Sequence, residues 1–354
     1  MNTWWRVVLV SGLVFALAPQ ATTQNQRPLD IYYVDVEGGA ATLFVSPSGE
    51  SLLVDSGHPG TIDAERIVAA AKAAGLKQID YLVTSHHHLD HVGGATELNA
   101  RIPIRHFVDH GLPTAQELKD NEALYQAYVK VRAQGRHVPV KPGDKIPIAA
   151  LDVQVVSSGG ELVTAPLAGA GAPNPLCRDF AAKAETPLMG GENGRSVGLV
   201  VRYGNFRTIV LGDLTWNKEH DLVCPNNLLG TVDVYLTTHH GLNISGPQVI
   251  VHALGPRVAV MNNGPTKGGA PDAWRIVRDS PGLEDLWQGH YSVKAGRDHN
   301  APEQFIANFD ETGSTCPAHR IKVSASNDGS FVVTNGRNGF SKTYTRRTES
   351  RRID

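Results

Sequence analysis

The run Thr84-Ser85-His86-His87-His88-Leu89-Asp90-His91 places four histidines and a carboxylate within six residues, directly after an apolar stretch. Neutral imidazoles and ionised carboxylates are the ordinary protein ligands of zinc and related divalent metals. The spacing His-x-His-x-Asp-His gives each position a separate job. His86 and His88 can converge on one metal, while Asp90 and His91 can turn toward a second a few ångströms away. Gly93-Gly94 then lets the backbone turn tightly into a following helix. The competing reading is a solvated histidine tract that binds metal adventitiously, but such tracts rarely sit at a strand end with this spacing.

The surrounding elements must position these groups. Alternating and apolar runs predict strands over 29–36, 41–46 and 51–54, with Pro47-Ser48-Gly49 as a turn. A helix is expected over 62–74, stopped by Gly75, then a buried strand over 79–83 that ends at the His-rich loop. A short helix over 92–100, a strand over 104–108, an amphipathic helix over 115–133 and a strand over 151–156 follow. Residues 159–195, rich in Gly, Ala and Pro, read as an irregular insertion of the kind that often borders active sites. Gly204-Asn205 closes a hairpin between strands 197–203 and 206–211. Further strands are expected at 232–237, 258–261 and 283–287, helices at 246–254 and 271–279, and closing strands near 303–309, 320–325 and 330–334. Strand–helix–strand alternation argues for parallel sheet covered by helices. In such an arrangement ligands gather at the carboxyl ends of strands. Three places obey that rule: His86 to His91 after Val83, Asp213 after Leu211, and His239-His240 after Thr237.

Several motifs carry a resemblance. They are the His-rich run, Asp35-Val36-Glu37-Gly38-Gly39-Ala40-Ala41-Thr42-Leu43-Phe44, Leu53-Val54-Asp55-Ser56-Gly57, Leu211-Gly212-Asp213, Thr238-His239-His240-Gly241, Val323-Ser324-Ala325 and Asp328-Gly329-Ser330-Phe331. Together they resemble the metallo-β-lactamase fold superfamily and, within it, the soluble hydrolase domain of competence protein ComEC, over most of residues 29–345. The resemblance implies an α/β fold, a metallo-β-lactamase-like αβ/βα four-layer sandwich. It implies His86 and His88 on a first metal, and Asp90, His91 and one of His239 or His240 on a second, with His239 favoured. Asp213 would bridge the two, which suits metals about 3.5–4 Å apart.

Two departures stand out. Many family members supply a third histidine to the first metal after a middle strand, but here that strand ends Val155-Val156-Ser157-Ser158-Gly159. Either the first metal keeps an open position, or it binds weakly, or His110 substitutes from the end of the neighbouring strand. Glu37 and Ala40 also stand where ComEC-like members carry Gln and Asp. Of the remaining candidates, His87 is expected to point away from the metals. Asp55 either orients a ligand imidazole from behind or caps its own turn. His58, His299 and Asn300 are weaker cleft candidates, and Trp216 reads as packing or a cleft wall.

The function that follows is an exported metal-dependent hydrolase using a metal-bound hydroxide, with two divalent ions, zinc or manganese. Water on such a metal has its pKa lowered toward about 7. Asp90 is the expected catalytic group, accepting or relaying the water's proton. The resemblance makes a phosphodiester the first substrate, in a phosphodiesterase or nuclease. The alternatives are a small-molecule lactone or β-lactam, or a non-catalytic metal-binding protein on the same fold. The 33 basic and 35 acidic residues leave no net basic footprint for tight nucleic-acid binding.

Residues 1–21 read as a signal peptide, with Arg6 ahead of the apolar run Val7 to Ala18 and small residues at Ala18 and Ala21; an uncleaved anchor is the competing reading. Removing them takes away only one charge. The expected organisation is leader 1–21, linker 22–28, hydrolase domain 29–345 and a polar tail 346–354, in a periplasmic or secreted protein with no stable membrane association after cleavage. Of Cys177, Cys224 and Cys316, one pair can form a disulfide in such a compartment, and the sequence does not choose it.

Overall fold

Side-chain alternation along the strands divides the apolar residues into three layers. Ile31, Phe44, Leu52, Val54 and Val83 join Val155, Val234, Val258 and Val260 in a central core. Their sequence neighbours Tyr32, Leu43, Leu53 and Leu82 face a second core with Ile67, Leu98 and Tyr128. Val156, Tyr235, Ala259 and Met261 face a third with Ile250, Leu254 and Trp274. A period of two puts successive residues on opposite faces. Three cores therefore mean two sheets packed on each other and covered by helices on both outer sides, the four-layer α/β class expected.

The computed structural model describes residues 1, 27–184, 186, 191–309 and 312–347. Apart from Met1, the expected leader 1–21 lies outside the described residues, as do 22–26 of the linker and 348–354 of the tail. The first sheet is built from β1 (Leu29–Tyr33), β2 (Thr42–Val45), β3 (Ser51–Val54), β4 (Ile79–Val83), β5 (Ile104–Asp109) and β6 (Arg136–Pro139), extended beyond β1 by β16 (Ile321–Ala325), β17 (Phe331–Asn335) and β18 (Ser341–Tyr344). The second contains β7 (Lys145–Ile146), β8 (Asp152–Ser158), β9 (Glu161–Leu162), β10 (Gly198–Tyr203), β11 (Phe206–Val210), β12 (Val234–Leu236), β13 (Val258–Met261), β14 (Asp285–His290) and β15 (Ile306–Asn308). Each sheet is part antiparallel, part parallel. The parallel portions run β3-β4-β5-β6, with Leu53 beside Leu82 and Leu82 beside Phe107, and β11-β12-β13-β14-β15, with Ile209 beside Tyr235 and Tyr235 beside Ala259.

Helix α1 (Thr61–Ala73) matches its expectation within a residue. The helix expected over 92–100 is two short ones, α2 (Leu89–Val92) and α3 (Ala95–Asn99). Gly93 and Gly94 keep helical angles, so a tight turn is not their purpose. A Cβ on either would collide with backbone of 56–59 or 89, so they let the metal loop press against the Asp55-Ser56-Gly57 turn. The helix expected over 115–133 breaks at Asn121 into α4 (Ala115–Asp120) and α5 (Glu122–Arg132). Helix α6 (Trp216–Asp221) was not expected; α7 (Gln248–Leu254) and α8 (Pro271–Arg278) were. Among the described residues no helix is long and apolar enough to cross a membrane.

Beyond β9, which pairs with β8, the described part of the insertion is largely irregular but laced to the 222–229 segment. Leu167 N donates to Leu228 O at 2.9 Å and Asn227 N to Ala172 O at 2.8 Å, and a Cys177–Cys224 disulfide spans 5.8 Å between Cα atoms. Cys316 is free and buried.

Candidate metal centre

The two sheets meet at the carboxyl ends of their parallel strands. Val197 N of the second sheet donates to Ser85 O of the first at 2.8 Å, while within the second sheet His239 N donates to Gly212 O at 3.0 Å and ties the two ligand loops together. Gly212 has φ 58°, and a Cβ there would lie 2.8 Å from Ser85 Cβ. Only glycine lets the Asp213 loop of one sheet approach the His-rich loop of the other this closely.

At that junction the ligand atoms of Asp90, His91, Asp213 and His240 all lie within 4.8 Å of one another. His91 Nε2 is 3.2 Å from both Asp90 Oδ2 and Asp213 Oδ2. His240 Nε2 is 3.2 Å from Asp90 Oδ2 and 3.5 Å from Asp213 Oδ1. His239 Nε2 reaches Asp213 Oδ2 at 3.1 Å, and His86 Nε2 lies 3.9 Å from the same oxygen. His88 Nδ1 is 3.0 Å from His86 Nε2.

Of the two candidates His239 and His240, both face Asp213, and His240 is the one that also joins Asp90 and His91. The reason is backbone conformation. His239 (φ 55°, ψ 43°) and His240 (φ 56°, ψ 16°) are successive left-handed residues, a rare arrangement outside glycine. A regular backbone would send neighbouring side chains apart.

Hydrogen bonds behind the imidazoles fix which nitrogen faces inward. Ser85 Oγ donates to Asp55 Oδ2 at 2.8 Å, so it accepts from His86 Nδ1 at 3.0 Å. Ser245 Oγ donates to Leu214 O at 2.7 Å and accepts from His239 Nδ1 at 3.1 Å. Asp55 Oδ2 accepts from His91 Nδ1 at 2.8 Å. In all three rings Nε2 is left for the centre, the orientation usual for metal-ligating histidine. Of the two readings of Asp55, the structure has it orient an imidazole.

Burial, with the charge of His91 beside it, holds His86 well below its ordinary pKa. Burial likewise pushes His239 down to about 4. Both rings are thereby held in the neutral form. Burial works against charge on Asp90 and Asp213 too, but the surrounding imidazoles, His91 foremost for Asp90 and His239 for Asp213, hold both carboxyls well below the usual range. His91 and His240 move the other way: the nearby carboxylates, Asp213 first, outweigh burial and raise them.

The residues fit a divalent metal. His91 Nε2, Asp213 Oδ1 and His240 Nε2 are buried atoms that sit 3.2–3.5 Å from their neighbours in the cluster but form no well-aligned hydrogen bond. Such groups are costly unless something satisfies them, and a cation at their meeting point would. Imidazole with carboxylate suits zinc or manganese.

Other candidates lie elsewhere. His110 groups with Glu192 and His87: its Nε2 is 2.7 Å from Glu192 Oε1, which also takes His87 Nδ1 at 2.9 Å. His87 thus points away from the centre, as expected. His58 pairs with Asp63 at 3.0 Å, and His299 donates from Nδ1 to Ala295 O at 3.2 Å. Asn300 accepts from Ser292 N at 2.7 Å in a structural network. Trp216 carries the insertion, donating to Ala181 O at 3.0 Å with the Lys183 ammonium 3.5 Å from its ring centre.

Three participants were missed. Glu117 Oε2 lies 3.4 Å from His88 Nε2. Glu192 anchors His87, His110 and the Thr114 amide from a stretch with no pattern to betray it. Lys267, whose ammonium contacts Asp90 Oδ2, follows β13, so the strand-end rule applied to Met261 would have found it.

Residues 34–172 match the family model described as the metallo-beta-lactamase superfamily. The chain is 25% identical over 264 residues to Competence protein ComA of Neisseria gonorrhoeae, covering 73% of this chain and 30% of that protein. It is 26% identical over 212 residues to ComE operon protein 3 of Bacillus subtilis (strain 168), covering 58% and 23%. It therefore spans less than a third of the length of either relative. Among solved structures it is similar to the metallo-beta-lactamase fold protein YhfI of Bacillus subtilis, with TM-score 0.44 and 11% identity over 74% of this chain and 96% of that one. It is also similar to Igni18, a metallo hydrolase of Ignicoccus hospitalis, with TM-score 0.43 and 14% identity over 73% and 93%. The resemblance read from the motifs is borne out. The matched segment holds His86, His88, Asp90 and His91, while Asp213, His239 and His240 lie beyond it.

Proposed function

We propose that this chain, with its metallo-β-lactamase superfamily segment, is a hydrolase working with two divalent cations, zinc or manganese. The observation that carries the reading is the convergence of Asp90, His91, Asp213 and His240, whose buried inward atoms crowd together at 3.2–3.5 Å without a well-formed hydrogen bond at His91 Nε2, His240 Nε2 or Asp213 Oδ1. His86, His88 and His239 would hold one cation and Asp90, His91 and His240 the other, with Asp213 between them. Bound there, the cations supply Lewis acidity and bring the pKa of a ligated water down toward about 7. The chain's own groups do the rest. Asp55, Ser85 and Ser245 orient the imidazoles. Asp90 is ionised and its side chain is 15% exposed, so it is reached by solvent and can take the proton of an attacking water.

A phosphodiester is the first substrate to test, on the strength of the likeness to the two competence proteins. Their greater length leaves their own activities outside what this chain inherits. Export is supported by the leader read over 1–21 and by the Cys177–Cys224 disulfide, which persists in oxidising compartments.

The test is elemental analysis of protein purified without chelator, followed by turnover of a phosphodiester before and after metal removal. Two ions per chain and chelator-sensitive turnover are expected. A metal-free chain that also resists reconstitution would leave a non-catalytic protein on the same fold.

A further inference from the structure

Lys267 lies in the Asn262-to-Ala270 segment that leaves β13 at the same sheet edge as the ligands. That segment is held on every side. Gly264 N donates to Lys267 O at 2.8 Å, closing a turn. Gly269 N donates to His240 O at 3.0 Å, Ala270 N to Gly241 O at 2.8 Å, and Val293 N to Pro265 O at 2.9 Å. The Asn263 side chain donates to Gly264 O at 3.0 Å and to His290 O at 2.8 Å, pinning the turn to β14. On the opposite flank a Cβ at Gly38 would lie 3.0 Å from both Gly264 N and Lys267 Cβ. The root of the lysine is thereby fixed between the Asp35-to-Phe44 motif and the His240 loop.

From that root the ammonium reaches Asp90 Oδ2, and the side chain is 37% exposed. Asp90 Oδ2 already lies 3.2 Å from His91 Nε2 and 3.2 Å from His240 Nε2. The lysine is thus an extra cation on a carboxylate that has two other partners. If Asp90 ligates a cation, its charge is taken up there, and the rigidly rooted, solvent-reachable lysine is left beside the centre to pair with another anion. An ammonium is a compact point charge with three rotatable donors, suited to a phosphoryl oxygen.

We propose that Lys267 is the anion-binding residue of this cleft, gripping a non-bridging oxygen of a phosphate ester, so that the centre selects anionic substrates. This rests on the metal-centre reading above and adds the charge of the substrate to it.

The test uses binding, so it does not depend on turnover. Wild-type, K267A, K267Q and K267R proteins are loaded with zinc, matched for metal content by elemental analysis, and titrated calorimetrically with inorganic phosphate. K267A and K267Q are expected to bind phosphate at least ten-fold more weakly, and K267R to stay within about three-fold of wild type. Phosphate affinity equal in all four proteins, or no phosphate binding by the loaded wild type, overturns the proposal. So does metal loss in K267A and K267Q with unchanged phosphate affinity per loaded site, which would make Lys267 only the counter-ion of Asp90. A wild type that binds no metal refutes the metal-centre reading first, and the two failures are told apart by the metal count.

Discussion

The Asp55 carboxylate accepts a hydrogen bond from His91 Nδ1 at 2.8 Å and also binds the Ser85 amide at 2.7 Å and its hydroxyl at 2.8 Å. One carboxylate at the end of β3 thus sets the tautomer of His91 directly and that of His86 through Ser85. Replacing such a group typically costs 10–100-fold in metal affinity. D55A should therefore lower zinc affinity by that factor without removing any ligand. Competition against a chelating indicator measures it, and an unchanged affinity would make Asp55 a turn residue after all.

His239 and His240 are expected to serve different ions. His239 shares Asp213 Oδ2 with His86, on the side that lacks a middle histidine, whereas His240 shares Asp90 with His91. H239A and H240A should each lose about one metal equivalent, and the double variant both. Elemental analysis of the three proteins decides it, and an H239A protein that keeps two ions would return His239 to a supporting role.

Glu192 is a buried carboxylate that reaches the His-rich loop through His87 and the following strand end through His110. Burial opposes its charge, but its bonds to His110 and His87 hold it well below the usual carboxylate range. Removing one partner of such a buried, hydrogen-bonded set costs roughly 3–5 kcal/mol. E192A should lower both melting temperature and metal affinity, while H110A should lower stability with little effect on the metal count. Metal loss in H110A equal to that in H88A would instead make His110 a ligand.

Burial pushes the Glu219 carboxyl, beneath the loop that carries His239 and His240, up to about 8. Its folded pKa lies above its unfolded value, so the folded state binds the extra proton. The stabilisation is complete below about pH 4.5 and is lost as pH rises toward 8. The full swing is on the order of 5 kcal/mol as an upper bound. Between pH 5 and 8 wild-type protein should lose more stability than E219Q, whose side chain cannot ionise. Denaturant midpoints across that range measure the difference, and parallel curves would refute the assignment.

The Cys177–Cys224 bridge closes a span of 47 residues. In the chain-entropy view a loop of that length contributes about 4 kcal/mol. The C177S/C224S double variant should unfold at lower denaturant by an amount of that order. C316S should not reproduce the loss through this route, because Cys316 is not bridged. Equal losses would mean that packing, not cross-linking, is at stake.

The sequence by itself determined the architecture and most of the centre. Strand alternation sorted Ile31 from Tyr32 and Tyr235 from its neighbours into separate cores, because a period of two is a local property of an extended chain. His86, His88, Asp90 and His91 are legible because they crowd into one loop, and Asp213 because it ends a strand. Only the tertiary structure decided the rest. Which of His239 and His240 meets Asp90 depends on two successive left-handed residues, which propensity does not foresee. His110 turns to Glu192 rather than to the centre because a carboxylate 82 residues away in the chain is buried beside it. Lys267 meets Asp90 across 177 residues, and Cys177 finds Cys224 rather than Cys316, through packing between elements remote in the chain. Residue types and spacing declare what a loop can do. Which side chains meet across loops is set by how the two sheets close on each other.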